Sequence, residues 1–485
     1  MEVLQRTANR GSISTGSYQI DNSCKFEEDN SEFLWKTFSG EGTGTGKTFT
    51  VSAWVKRTEL SGIDIVMGVG RAIGSDANDG AIRFNSDQFQ FVNFASNAYN
   101  VRTNAVFRDT SAWYHIMVAV DTTQGTDSNR VKLYVNGEQQ TSLTGTAYPT
   151  QNYQFKWGRA EEHMVGARPD SDATAGEPQA SQFWSGYMAD VYFVDGQQLA
   201  PTDFGEYDSD SGIWKPINAS PTFGNNGFYL DFADASDLGD DESGNGNDFA
   251  EVNLAAADQA TDTPTNSFAI NNIIDGGVNT SNSVSYKEGG TVQIRNQNTN
   301  YNYNFSTLGM TKGKWYAEFQ RGSSTNIMIG VQLQNFDSTL SSRVNTYIGM
   351  GADNHGGAFS AGGAYFYNNT ASTGHTAYGT SDILGVAVDC DNNKIYFSVN
   401  GTYVNSGNPA SGSNGFDFGP LETNEPCFFV MNSRDPNKEH KANFGGYTTI
   451  SISSAASDEN GYGNFEYAPP TGYYALCTKN LAEYG

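Results

Sequence analysis

AWYHIMVAVDTTQGTDSNRVKLYVNGEQ, residues 112–139, decides the fold class. Tyr114, Ile116, Val118 and Val120 alternate with Trp113, His115, Met117 and Ala119. A period of two is a strand, and large residues in both sets place it at a covered sandwich centre. Val131, Leu133 and Val135 then alternate with Arg130, Lys132 and Tyr134. Asn136-Gly137 closes the second strand with the pair that a two-residue hairpin turn requires, because both turn positions need positive φ.

Working outward, the same alternation recurs at Phe49–Val55, Tyr187–Phe193, Phe228–Phe232, Trp315–Phe319 and Ile395–Val399. The block also has an echo. VAVD (118–121) and NRVKLYVNGE (129–138) return as VAVD (386–389) and NKIYFSVNGT (393–402). Two readings stand side by side, a true duplication and a recurrence of good hairpin chemistry. The polar stretch from Asp234 to about Asn266 reads as loop and linker. Residues 1–20 have no periodicity and read as an arm, expected to serve as an assembly handle. Many strands separated by Gly/Asn turns, with no helical pattern, predict two all-β sandwiches.

Composition agrees. The 485 residues include 54 Gly, and aromatics reach 13% while charged residues stay at 17%. The helix-favouring blend of coiled coils and bundles is missing. A net charge of −26 opposes binding to a phosphate backbone, so no nucleic-acid partner is expected. No run of 18 apolar residues is present, so no membrane insertion is expected. The N-terminal MEVLQRTANRGSIS does not read as a secretory signal. Cys24, Cys390, Cys427 and Cys477 form no CxxC pair and read as free, mostly buried thiols of a protein made in a reducing cytoplasm.

Here the motifs carry a resemblance. SAWVKR (52–57), AWYHIMVAVDTTQ (112–124), NRVKLYVNGEQ (129–139) and GYMADVYFVDGQQL (186–199) resemble a laminin-G-like, concanavalin A-type lectin domain over residues 21–252. In that family the SGNGN-type loop often comes early. Here GFYLDF…DDESGNGNDF (227–249) comes last, so this domain reads as circularly permuted. GKWYAEF (313–319), IMIGVQ (327–332), DILGVAVDCDNNKIYFSVNG (382–401) and PCFFVMNS (426–433) resemble a SPRY domain. The implied fold class is all-β: two tandem antiparallel jelly-roll sandwiches, lectin-like and then SPRY-like. The expected organisation is an arm at 1–20, a first sandwich at 21–252, a linker at 253–266, and a second sandwich with C-terminal extension at 267–485. The pair in this order, closing with APPTGYYALCTKNL (468–481), resembles a structural protein of tailed-bacteriophage virions. That resemblance implies a non-enzymatic adhesin or tail-fibre component on the virion surface. Its implied partners are other virion proteins and a host cell-surface glycan or protein, in an oligomeric assembly. Capsid decoration or a head fibre is the alternative placement, and a polysaccharide-degrading enzyme is the third class.

Candidate chemistry is sparse. Retaining glycosidases need two carboxyls about 5–5.5 Å apart. The near matches are Glu206-x-Asp208-x-Asp210, Glu27-Glu28-Asp29 and Asp237 to Glu242, all read as solvated turn acids. No GxSxG elbow exists, so no catalytic residue is assigned. Of the histidines, His115 reads as packed or hydrogen-bonded within its strand, His355 and His375 as loop residues, and His440 as surface; His163 completes the set without ligand spacing. Calcium is the cofactor to test, because loop Asp and Asn oxygens suit that hard cation. Asp241, Asn245 and Asp248 of the DDESGNGND loop are the first candidates as ligands. Tyr365, Phe366 and Tyr367 read equally as an exposed aromatic patch or a short strand.

Overall fold

A computed structural model of the chain describes residues 18–70, 80–94, 98–170, 174–274, 284–295, 302–333, 348, 356–421 and 425–485. Residues 1–17 of the expected arm and His355 lie outside them. Contacts divide the chain at Thr265/Asn266. Among the described residues the elements are almost entirely strands, with short 3-10 turns and one α-helix, Thr478–Tyr484.

The first unit is a two-sheet sandwich. One sheet runs in the order Glu138–Gln139, Val131–Val135, Tyr114–Asp121, Thr48–Arg57, Gly186–Asp195, Ser23–Phe26 and Gln259–Ala260, with Phe228–Leu230 added beside Gly186–Asp195. The facing sheet runs Ala250–Val252, Phe33–Thr37, Glu162–Val165, Ile63–Gly70, Gly80–Asn85, Gln88–Asn93 and Asn100–Val106. Phe49, Val51, Val118, Leu133, Phe91, Trp157 and Phe193 meet between them, so each strand's inward set forms the core. The outward set of the central strand is covered too: Met117 and Ala119 pack with Tyr192 and Phe204. That accounts for the two large residue sets of 113–120.

Gly186–Asp195 carries a register shift between Ala189 and Tyr192. Asp190 sits in this bulge with φ 46, where the strand's outer partner changes from Ser23–Phe26 to Phe228–Leu230. Bulges re-aim a side chain in this way. Here Asp190 is turned to accept hydrogen bonds from Tyr229 Oη at 2.7 Å and Tyr18 Oη at 3.3 Å. Tyr18 and the buried Ile20, read from sequence as part of the N-terminal arm, lie against the first sandwich, with Ile20 N donating to Thr265 Oγ1.

Residues 253–266 differ from the linker that their polarity predicts. Gln259–Ala260 joins the first sheet, and Leu254 enters the core. Asp258 pairs with Lys25 at 2.8 Å, and Asp262 pairs with Lys56 at 2.6 Å. The acidic residues there reflect buried ion pairs rather than solvation.

The second unit is another two-sheet sandwich. Its larger sheet runs Val284–Lys287, Val292–Arg295, Glu439–Asn443, Lys314–Gln320, Leu384–Asp389, Lys394–Val399 and Thr402–Tyr403. Phe416–Asp417 adds to Lys394–Val399, and Tyr474–Ala475 pairs in parallel with Lys314–Gln320. The smaller sheet runs Asn302–Phe305, Cys427–Ser433, Ile327–Leu333, Gly356–Ser360, Tyr365–Tyr367 and Thr370–Ser372. Trp315, Phe319, Ile329, Val331, Phe397 and Phe429 fill the space between.

The sequence echo is also a geometric one. Asn136 and Gly137 have φ 49 and 80, and Asn400 and Gly401 have φ 49 and 76. Asn136 Oδ1 accepts from His115 N at 2.8 Å while its own N donates to His115 O. Asn400 repeats both bonds with Ile383. Each asparagine thus clamps the start of the preceding strand as well as turning the hairpin.

Candidate functional site

The three candidate calcium ligands are held by hydrogen bonds within the first unit. Asp241, expected in a solvated loop, is 7% exposed. Its Oδ1 accepts from Tyr229 N and Ser243 N, both at 2.9 Å, and its Oδ2 from Ser243 Oγ and Asn247 N, both at 2.8 Å. Asn245 Nδ2 donates to Gly224 O and Gly227 O, while Asp248 Oδ1 accepts from Asp241 N. The loop is a staple that holds residues 224–229, and the carboxylate lone pairs that calcium would need already take N–H and O–H donors. Among the described residues, no group of three or more His, Cys, Asp or Glu is placed to hold a metal. Asp241, with two donors on each carboxylate oxygen, is committed to the loop rather than open to a cation.

Glu206 and Asp208 share one cation: Lys215 Nζ lies 3.3 Å from Glu206 Oε1 and 3.2 Å from Asp208 Oδ2. Asp208 Oδ1 also caps its own turn through Ser211 N, Ser211 Oγ and Asp210 N. Those turn hydrogen bonds, led by Ser211 N–H, hold its carboxyl down at about 2. An acid that low cannot donate a proton near neutrality. Glu28 is pushed the other way, to about 7, by burial and then by Glu59 and Asp64. It begins a 3-10 turn, Glu28–Asn30, and its backbone N–H binds Ser185 Oγ.

His115 is buried, with Nε2 2.8 Å from Ser52 Oγ and Nδ1 accepting from Trp214 Nε1 at 3.1 Å. Burial drops its pKa to about 3, so it is neutral. His163 is likewise buried, its Nε2 accepting from Gly158 N. His440, read from sequence as surface, is fully buried in the strand Glu439–Asn443. Its charged neighbours in sequence face outward, and strand alternation turns the ring inward. His375 Nε2 meets Ser372 Oγ at 3.0 Å. Tyr365–Tyr367 forms a strand, not an open patch: Tyr365 is 4% exposed and stacks on Phe416 at 4.4 Å.

Sequence reasoning did not find the groove in the second unit. It is a polar, open depression of about 360 Å³. Gln320 and Lys441, cross-strand partners on the outer face of the larger sheet, form its floor. Arg321, Gly322 and Ser323 follow Gln320, Asn437–Glu439 enter the last long strand, and Thr380 closes the rim. Gly322 allows the walls to close up, since a Cβ there would stand 2.4 Å from Glu439 O. Arg321 is anchored by Nε to Tyr378 O at 2.9 Å and by Nη1 to Ser324 O at 2.6 Å. Asp435 braces the adjoining turn through Ser324 Oγ and Asn326 Nδ2. The lining holds three cations, Arg321, Lys438 and Lys441, against one carboxylate, Glu439, in a chain of net charge −26. No hydrophobic pattern marks these residues, because the groove is assembled from three loops distant in sequence.

With both folds described, the comparisons can be placed on them. Residues 35–199 match the family model of the concanavalin A-like lectin/glucanases superfamily, and residues 312–446 match that of the SPRY domain. The chain carries both domains. Among solved structures it is similar to the SPRY domain of human HERC1, at 14% identity over 36% of this chain and 96% of that one, TM-score 0.26. It is also similar to the native heptameric SAP-like pentraxin from Limulus polyphemus, at 17% identity over 38% of this chain and 80% of that one, TM-score 0.28. No curated protein matches the sequence.

Proposed function

We propose that this chain is a non-enzymatic glycan-binding protein of a bacteriophage virion surface, acting in host attachment. One observation carries the glycan reading. The carboxylates that a hydrolase would use are tied into turns and ion pairs, whereas the groove of the second unit presents uncommitted hydrogen-bond donors on a rigid sheet. The lectin-type family match supports it. The virion placement rests on the likeness of the domain pair and of residues 468–481 to tailed-phage structural proteins. A host-surface polysaccharide immobilised on a sensor should retain the protein reversibly and release no reducing ends in prolonged incubation. Sustained release, abolished by Glu206→Gln, would overturn the non-enzymatic reading. Labelled antibody should mark the tails of intact particles. Labelling spread over the head would replace attachment by capsid decoration, and unlabelled particles would remove the virion placement.

A further inference from the structure

The groove's donors are more specific than a neutral sugar requires. Arg321 spends Nε and Nη1 on backbone carbonyls, and among the described residues Nη2 has no partner. Lys438, half-buried at the same wall, has no partner among the described residues either. Lys441 Nζ binds Thr449 O at 3.1 Å, which fixes a third positive charge at the floor. Glu439 in the lining and Asp382, whose ionised form Arg321 favours, are the carboxylates near these three cations, and exposed pairs of that kind contribute little to stability. Their use is toward something that arrives.

The neutral lining narrows the class. Ser323, Thr380, Asn437 and Gln320 offer hydroxyls and amides, and the lining includes no aliphatic or aromatic side chain. An acidic peptide would find charge but no apolar anchor, and such anchors dominate peptide affinity. A sugar acid carries both an anion and a ring of hydroxyls. We infer that this groove binds a carboxylate-bearing saccharide, its carboxylate placed between Arg321 Nη2 and Lys438 Nζ and its hydroxyls on Ser323, Thr380 and Asn437. A guanidinium already held in place by the carbonyls of Tyr378, Gly322 and Ser324 loses little freedom on pairing with a carboxylate. The inference rests on the glycan-binding reading and names the sugar class for one site.

The test uses the full chain and three probes in calorimetry at low salt: tetragalacturonate, its methyl ester and tetraaspartate. The ester keeps every hydroxyl and removes the charge. Tetragalacturonate should bind, and the ester should bind at least about tenfold more weakly, the range of one charge-assisted hydrogen bond. Lys438→Glu should weaken the acid to a similar degree and leave ester binding unchanged. Lys312→Glu, an exposed lysine outside the groove, changes net charge equally and should have no effect. Equal binding of acid and ester, or an equal loss in both lysine variants, overturns the inference but leaves glycan binding intact. Tighter binding of tetraaspartate overturns it in favour of an acidic peptide. No binding of any probe, with host polysaccharide still retained on the sensor, overturns the inference alone. If the host polysaccharide is not retained either, both readings fall.

Discussion

Lys56 Nζ lies 2.6 Å from Asp262 Oδ2, and both side chains are closed off from solvent. The pair joins the central strand Thr48–Arg57 to a segment whose composition looks like tether. Asp262 Oδ1 also accepts from Trp113 Nε1 at 3.0 Å. Asp262→Ala therefore removes a buried carboxylate from beside the Lys56 ammonium and the acceptor of the Trp113 indole N–H together. Breaking one side of a buried pair costs about 3–5 kcal/mol. Urea unfolding of the variant should show that loss in the transition of the first unit, whereas Asp21→Ala, at an exposed position of the same unit, should leave the transition in place.

Asp241 gives a second expected outcome. Its four accepted hydrogen bonds hold residues 229, 243 and 247 together. Asp241→Ala should cost roughly 2–3 kcal/mol through unsatisfied buried donors. Thermal unfolding in calcium and in chelator should give one midpoint for wild type. A calcium-raised midpoint that disappears in the variant would restore the metal reading.

Asp190 makes stability depend on pH. Burial lifts its carboxyl from 3.8 to about 7, with Tyr229 and Tyr18 pulling it back and Asp231 pushing it further up. The folded state holds this proton more tightly than the unfolded chain. The contribution is complete below the unfolded value and is lost as pH rises through the folded one, by at most about 1.4 kcal/mol per pH unit. The contribution of Asp190 should be lost between about pH 4 and 7, read as the difference in stability between wild type and Asp190→Asn across that range. Asp190→Asn should flatten that slope, and an unchanged slope would assign it elsewhere.

The four cysteines should be silent in the native state. Cys24, Cys390, Cys427 and Cys477 are free and buried, and Cys390 Sγ lies 3.8 Å from Cys427 Sγ. Burial, and for Cys390 its neighbour Cys427, pushes the Cys24, Cys390 and Cys477 thiols up, so little thiolate forms. An aromatic disulfide reagent should find no thiol before denaturation and four after it. Rapid native reaction would show that a sandwich opens locally.

What the sequence made legible follows from chain-local chemistry. Asn136-Gly137 and Asn400-Gly401 could be read because turn geometry depends on two adjacent residues. Strand alternation predicted Thr48–Arg57 and Tyr114–Asp121 for the same reason. The misread places depend on distant partners. Asp258 and Asp262 look solvated until Lys25 and Lys56 are placed beside them. His440 looks exposed until strand pairing turns it inward opposite Gln293. The groove unites Arg321, Thr380 and Lys438, and no spacing rule connects those three.

The matched SPRY segment, 312–446, is shorter than the unit that should fold. On the outer face of its larger sheet, Tyr316, Tyr396 and Ala387 are buried under Phe465, Tyr473, Ala475 and Cys477, with Phe268 contributing from the other end of the unit. Tyr474–Ala475 pairs in parallel with Trp315 and Tyr316. Glu318, buried on the same face, accepts from Glu466 N at 2.9 Å and Tyr467 N at 2.8 Å, with Tyr316 Oη and Asn443 Nδ2 beside them. Without the extension this carboxylate loses two backbone donors, and the rings of Tyr316 and Tyr396 face water. A buried aromatic contributes about 1.5–3 kcal/mol, and a domain's net stability is only about 5–15 kcal/mol. Residues 312–446 expressed alone should therefore be insoluble or molten, with residues 266–485 giving one cooperative transition. Glu318→Gln keeps one acceptor oxygen and sets an NH2 against the other donors, so it should lower the transition less than Glu318→Ala, which leaves both N–H groups unpaired. Cooperative unfolding of 312–446 by itself would show the extension to be an ornament on a complete sandwich.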